Sequence, residues 1–170
     1  MNKYLKTNSI KLTLDTRTLK SEEPTVLELH IPKKDDPDTW FMSCEDVVID
    51  DIEVILTVNK PAEILIEIHS QQEPLEFANA NEGADRQIFD GILFMTGNRT
   101  IKNLKAFGSR LIKPYMMLFT VTSSRFWQHS PLGEVLENRG NKIGFRFSIK
   151  DKKNVLYFSH DPILIGRDWL

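Results

Sequence analysis

Ile52-Glu53-Val54-Ile55-Leu56-Thr57-Val58-Asn59-Lys60-Pro61-Ala62-Glu63-Ile64-Leu65-Ile66-Glu67-Ile68 is the stretch that decides the fold class. Ile52, Val54, Leu56 and Val58 alternate with Glu53 and Thr57, and Ile64, Ile66 and Ile68 alternate with Glu63 and Glu67. Period two gives each strand one buried and one wetter face. The polar Asn59-Lys60-Pro61 between them predicts a turn that joins the two strands into a hairpin.

The same alternation recurs on both sides. Ile10, Leu12 and Leu14 carry it near the N-terminus, followed by Leu27, Leu29 and Ile31. Tyr115, Met117, Phe119 and Val121, and then Ile143, Phe145, Phe147 and Ile149, carry it later. One-sided burial is the habit of antiparallel sheets, since parallel strands covered on both faces read as unbroken apolar runs. Turns are predicted at Asp151-Lys152-Lys153-Asn154, before Val155, and at His160-Asp161-Pro162, before Ile163-Leu164-Ile165. The expected fold is mainly β: an antiparallel β-sandwich of immunoglobulin-like type, with a closed barrel as the alternative.

Two segments break the rhythm. Gln71 to Gln87 is polar and without alternation, which predicts a long loop. From Asn98 to Lys113 the spacing turns helical, with Ile101, Leu104, Phe107 and Leu111 on one stripe and Arg99, Lys102 and Lys105 on another. That predicts one short basic helix near residues 99–107.

The chain has 170 residues, 41% of them hydrophobic and 27% charged. This fits a single globular domain over residues 1–170. No apolar run reaches the ~18 residues of a membrane span, so no membrane partner is expected. Met1 to Lys6 has no apolar core of a secretory signal. Cys44 is the sole cysteine and has no internal disulfide partner, which suits an intracellular setting, nucleus or cytoplasm.

The net charge of -2 conceals a split. Residues 1–97 hold 9 Lys/Arg against 19 Asp/Glu, a net of -10, and residues 98–170 hold 13 against 5, a net of +8. An acidic and a basic face would follow if the two halves do not interleave.

Chemistry-bearing motifs are absent: neither a Gly-x-Ser-x-Gly nucleophile elbow nor a phosphate-cradling glycine loop occurs. His30, His69, His129 and His160 are widely spaced, and no metal or cofactor is expected. The acidic clusters Asp35-Asp36-Pro37-Asp38 and Asp50-Asp51 read as solvated turns, because neither continues to the glycine and distal glutamate of a calcium loop. Glu63 and Glu67 read as the wet face of their strand. Cys44 lies among acidic residues that suppress its thiolate, so it reads as a packing residue. The expectation is a protein that is not an enzyme.

Binding is the alternative to catalysis. Arg99, Lys102, Lys105, Arg110 and Lys113 form a cluster able to neutralise phosphates. Arg125, Trp127 and His129, in Ser123-Ser124-Arg125-Phe126-Trp127-Gln128-His129-Ser130-Pro131, supply groups that read base edges or stack on bases. Trp and Arg are equally at home in a protein-binding hot spot.

Gly140-Asn141-Lys142-Ile143-Gly144-Phe145-Arg146-Phe147-Ser148-Ile149-Lys150-Asp151, followed by Val155 to Ile165 with its Pro162-Ile163, resembles the closing strands of the p53/Rel-like immunoglobulin-fold DNA-binding domains. Ser9-Ile10-Lys11-Leu12-Thr13-Leu14 is similar to the opening strand of that group. The resemblance implies a transcription-factor-like module that binds nucleic acid through the basic cluster. The competing expectation is an adaptor or structural protein that self-associates, or binds another protein, through complementary acidic and basic faces.

Overall fold

The computed structural model describes residues 10–19, 23–57, 60–79, 88–95, 107–122, 141–160 and 163–168. Among them run β1 (Ile10–Asp15), β2 (Thr25–His30), β3 (Phe41–Cys44), β4 (Val47–Leu56) and β5 (Ala62–His69). Then follow β6 (Glu76–Phe77), β7 (Ile88–Phe89), β8 (Ile92–Met95), β9 (Phe107–Lys113) and β10 (Met116–Val121). β11 (Asn141–Lys150), β12 (Leu156–Phe158) and β13 (Ile163–Asp168) complete the set.

The strands form one hydrogen-bonded path, β7-β8-β11-β13-β4-β3-β2-β5-β10-β9, with β1 beside β4 and with β6 and β12 beside β11. Mixed sheets pack against each other as a β-sandwich. The two ten-residue strands make this possible, because each changes partner along its length. β4 pairs with β3 through Val47–Ile49 and with β13 through Asp51–Leu56. β11 pairs first with β13, then with β8, and finally with β12 and β6.

Alternation becomes burial as period two requires. Ala62, Ile64, Ile66 and Ile68 of β5, Met117, Phe119 and Val121 of β10, and Leu27 and Leu29 of β2 all point into one core. Phe77, Phe145 and Phe147 close its far side, with Phe145 edge-on to Phe147 at a centroid distance of 5.3 Å.

Several expectations need correction. The sheets are not purely antiparallel: β1 and β13 both run parallel to β4, and β2 runs parallel to β5. Asn59-Lys60-Pro61 does not make a hairpin of β4 and β5. Val58 and Asn59 lie outside the described residues; a single bridge joins Thr57 to Lys60, and β4 and β5 pair with different strands. Covered on both sides, β4 buries Ile52, Glu53 and Val54 in succession. Glu53 is neutralised there by Lys11 Nζ at 3.2 Å and accepts from Thr13 Oγ1 at 3.2 Å. Asp50 and Asp51 lie inside β4 and not in a turn. Asp36 does cap a turn, a 3-10 segment over Pro37–Thr39, where its carboxylate accepts from Asp38 N.

The predicted helix lies outside the described residues except at its end. There Phe107 opens a strand, and the stripe's last residues lie in β9. The polar segment after Gln71 contains β6, whose Phe77 is buried against the core. Asp151-Lys152-Lys153-Asn154 does form the expected hairpin turn, between β11 and β12.

A clasp fixes that turn. The Asp151 carboxylate accepts from the backbone N–H of Lys153 at 2.9 Å and of Val155 at 3.0 Å. It also accepts from Lys34 Nζ at 3.1 Å and Tyr157 OH at 3.2 Å. Lys34 reaches on to Glu73, so three segments far apart in sequence meet at one ammonium. Among the described residues no helix is long and apolar enough to cross a membrane.

Candidate functional site

The outward face of β9, β10, β5, β2 and β3 is a lattice of cross-strand rows, because in-register partners point the same way. Lys113, Met116, Glu67, Glu28 and Ser43 make one row. Arg110, Leu118, Leu65 and Val26 make the next, and Gly108, Thr120 and Glu63 a third. On the other side of the Glu67–Glu28 row stand His69, His30 and Phe41.

A bulge puts the two cations together. Arg110 and Lys113 are three positions apart and would point to opposite faces of a regular strand. The register shifts between Met117 and Met116, so that Leu111 opposes Met117 and Lys113 opposes Met116. The extra residue, Ile112, returns Lys113 to the face of Arg110. Both side chains are exposed, and Lys113 Nζ stands 5.7 Å from the centre of the exposed Tyr115 ring.

Charge is therefore graded across this face: cations on β9, apolar side chains on β10, and glutamates on β5 and β2. With strands about 4.8 Å apart, Glu67 lies on the order of 10 Å from Lys113. Glu67 thus lies within about a Debye length of the cations, and Glu28, one strand further, is largely screened from them within a single copy. The acidic and basic halves of the sequence interleave, since β10 comes from the basic half and lies directly beside β5 from the acidic one, with β9 beyond it.

The glutamate end holds a compact polar cluster. His30 Nε2 is 2.9 Å from Ser43 Oγ and 3.2 Å from Glu28 Oε2, and Ser43 Oγ donates to Glu28 Oε2 at 3.3 Å. A carboxylate only accepts, so Nε2 carries the proton that faces Glu28. The His30 ring is stacked on Phe41 at 4.5 Å. Burial lowers its pKa below the usual value, against the pull of Glu28, and neighbouring His69 lowers it further. His69 Nε2 is 3.8 Å from Glu28 Oε1 and 3.7 Å from Glu67 Oε1.

Serine, histidine and carboxylate here do not form a hydrolytic triad. Both oxygens contact the same ring nitrogen, whereas a general base needs a free lone pair towards the serine and the acid on its other nitrogen. Ser43 is also fully buried. Among the described residues no group of three or more His, Cys, Asp or Glu side chains is arranged to hold a metal ion. Burial pushes the Cys44 thiol up, with Glu45 and Glu28 adding to the effect.

Of the site residues read from sequence, Arg110 and Lys113 are brought together on β9, an element of the sheet and not of a helix. Arg99, Lys102, Lys105, Arg125, Trp127 and His129 lie outside the described residues. Sequence reading missed the outward Val26, Leu65, Met116 and Leu118. Their signal was available: each is an apolar residue out of phase with the alternation of its strand, in Val26-Leu27, Ile64-Leu65-Ile66 and Met116-Met117-Leu118-Phe119. Such out-of-phase positions put apolar surface on the wet face. No family model matches the chain, and no curated protein matches it.

Proposed function

We propose that the chain is a non-catalytic binding module that engages a protein through the outward face of β9, β10, β5 and β2. The observation that carries this reading is the row Arg110–Leu118–Leu65–Val26 beside the row Lys113–Met116–Glu67–Glu28. An apolar centre flanked by charges of both signs is the anatomy of a protein interface. A phosphate backbone is served poorly by it, because the glutamates repel what the two cations attract.

A second reading keeps a specific support. Lys113 beside Tyr115, at the exposed tip of the β9–β10 hairpin, pairs a cation with an aromatic surface. The chain also resembles p53/Rel-like domains in its closing strands. On this reading the tip, with Arg99, Lys102, Lys105, Arg125, Trp127 and His129, contacts nucleic acid.

Hydroxyl-radical footprinting separates the two. Met116 and Leu118 are reactive reporters at the centre of the face. Protection in extract of the expressing cells, relative to dilute purified protein, that survives nuclease treatment supports the protein-binding reading. Protection that disappears with nuclease supports the nucleic-acid reading. No protection under either condition refutes the assignment of the face.

A further inference from the structure

We infer that the partner of this face is a second copy of the chain, related by a two-fold axis that lies in the interface and runs along the strands between β10 and β5. The inference rests on the protein-binding reading and names its occupant.

Charge placement selects the axis. Two copies that meet through the same face are related by a two-fold axis in the plane of contact. If that axis ran across the strands, Arg110 and Lys113 would meet their own counterparts, and the glutamates would meet glutamates. An axis along the strands reverses only the order across the sheet. β9 of one copy then lies over β2 of the other, and β10 lies over β5.

Register supplies the detail, since this axis preserves level along the strand. Lys113 and Glu28 occupy the same row, through Met116 and Glu67. Lys113 of each copy therefore stands over Glu28 and next to Glu67 of its mate, twice per dimer. In the neighbouring row Leu118 meets Leu65, and Arg110 closes over Val26, which is 46% exposed. Acidic and basic patches on different surfaces would give open, head-to-tail chains. Placed on one face, they give a closed pair.

The size is that of a modest interface. The four overlapping strands span about 14 Å, and three to four rows of residues span about 14–20 Å along them, on the order of 200–300 Å² in plan. This lies below the ~800 Å² per partner of a standard complex and suits a weak, reversible dimer.

Sedimentation velocity between roughly 1 μM and 1 mM chain at low salt tests the inference, with Lys113→Glu, Glu28→Lys and the double variant. The wild type should dimerise and weaken with salt. Each single reversal should raise the dissociation constant by roughly tenfold or more, and the double reversal should recover most of that loss. Because Glu28 also bonds His30 and Ser43, and Glu67 lies against His69, Leu118→Arg repeats the test away from that cluster and should weaken the dimer.

A monomer throughout the range overturns the inference, as does a dimer indifferent to Lys113→Glu and Leu118→Arg. The footprint distinguishes what fails. Protection of Met116 in extract without self-association removes the second copy as occupant and keeps the face. Protection in neither setting removes both.

Discussion

Replacing Gly91 with alanine tests the packing behind the binding face. Gly91 has φ +75°, and an added Cβ would lie 2.8 Å from Met117 Sδ and 2.8 Å from Phe77 Cδ1. Met117 is flexible and can yield. Phe77 cannot easily do so, being 1% exposed and set against Phe147 at 6.4 Å. The left-handed backbone costs an L-residue about 1–2 kcal/mol. Overpacking adds about 1–3 kcal/mol, and the stiffer unfolded chain returns about 0.4–1 kcal/mol. The net destabilisation centres near 3 kcal/mol, a large part of the ~5–15 kcal/mol that holds a domain together. In urea, with a slope of about 2 kcal/mol per molar, the midpoint should fall by roughly 1.5 M. Gly108→Ala is the control, because nothing lies within 4 Å of its added Cβ, and it should stay within about 0.5 kcal/mol of wild type. A Gly91→Ala midpoint as close to wild type as that of the control would refute both the strained turn and the tight approach of Phe77.

Two further predictions concern protons. Burial pushes the Asp151 carboxyl up, but the backbone N–H groups of Val155 and Lys153 and the Lys34 ammonium bring it down to about 2, from an ordinary 3.8. A depressed carboxyl stabilises the fold above its unfolded pKa, so this contribution should fade as pH falls from about 4 towards 2. Asp151→Asn should abolish that part of the acid sensitivity, and urea midpoints measured from pH 2 to 6 will show whether the two proteins converge at the acid end. His30, held below the usual 6.5 chiefly by burial, should favour folding at neutral pH and cost stability as acid protonates it. Because Glu28 raises that pKa, Glu28→Gln should lower it further in an NMR titration of the imidazole, and an upward move would show that Glu28 is not its main ionic neighbour.

Strand positions were legible wherever one face alone is buried. β1, β2, β5, β10 and the body of β11 follow period two. Pairing was not legible, because Asn59-Lys60-Pro61 specifies a reversal without specifying which strand comes back beside which. β4 shows why: along Asp51–Ile55 both its edges are occupied by strands distant in sequence, β1 and β13, so the neighbour delivered by the turn goes elsewhere. β9 was misread for a different reason. Phe107 and Leu111 are four apart, an even number, so they share a face of a strand as well as of a helix. Opposite Val121 and Met117 respectively, both point inward.

The same parity argument explains why the charge split in the sequence does not become a split in space. Parallel pairing of β2 with β5 needs a crossover, and β3 and β4 supply it on the other side of β2, so β5 returns beside β2 with its far edge turned to the later strands. β10 from the basic half then adds to the free edge of β5, and the bulge at Ile112 turns Lys113 outward beside Arg110. Charges separated by more than forty residues in sequence thereby come to lie two or three strands apart on one surface. A gradient on one face, unlike two opposed faces, is complementary to its own image under a two-fold axis. That is why the bulge, which costs the strand its regular ladder, is the local feature on which the proposed dimer depends: a strand of the same composition without it would point Lys113 inward and leave Glu28 of the partner with no cation opposite.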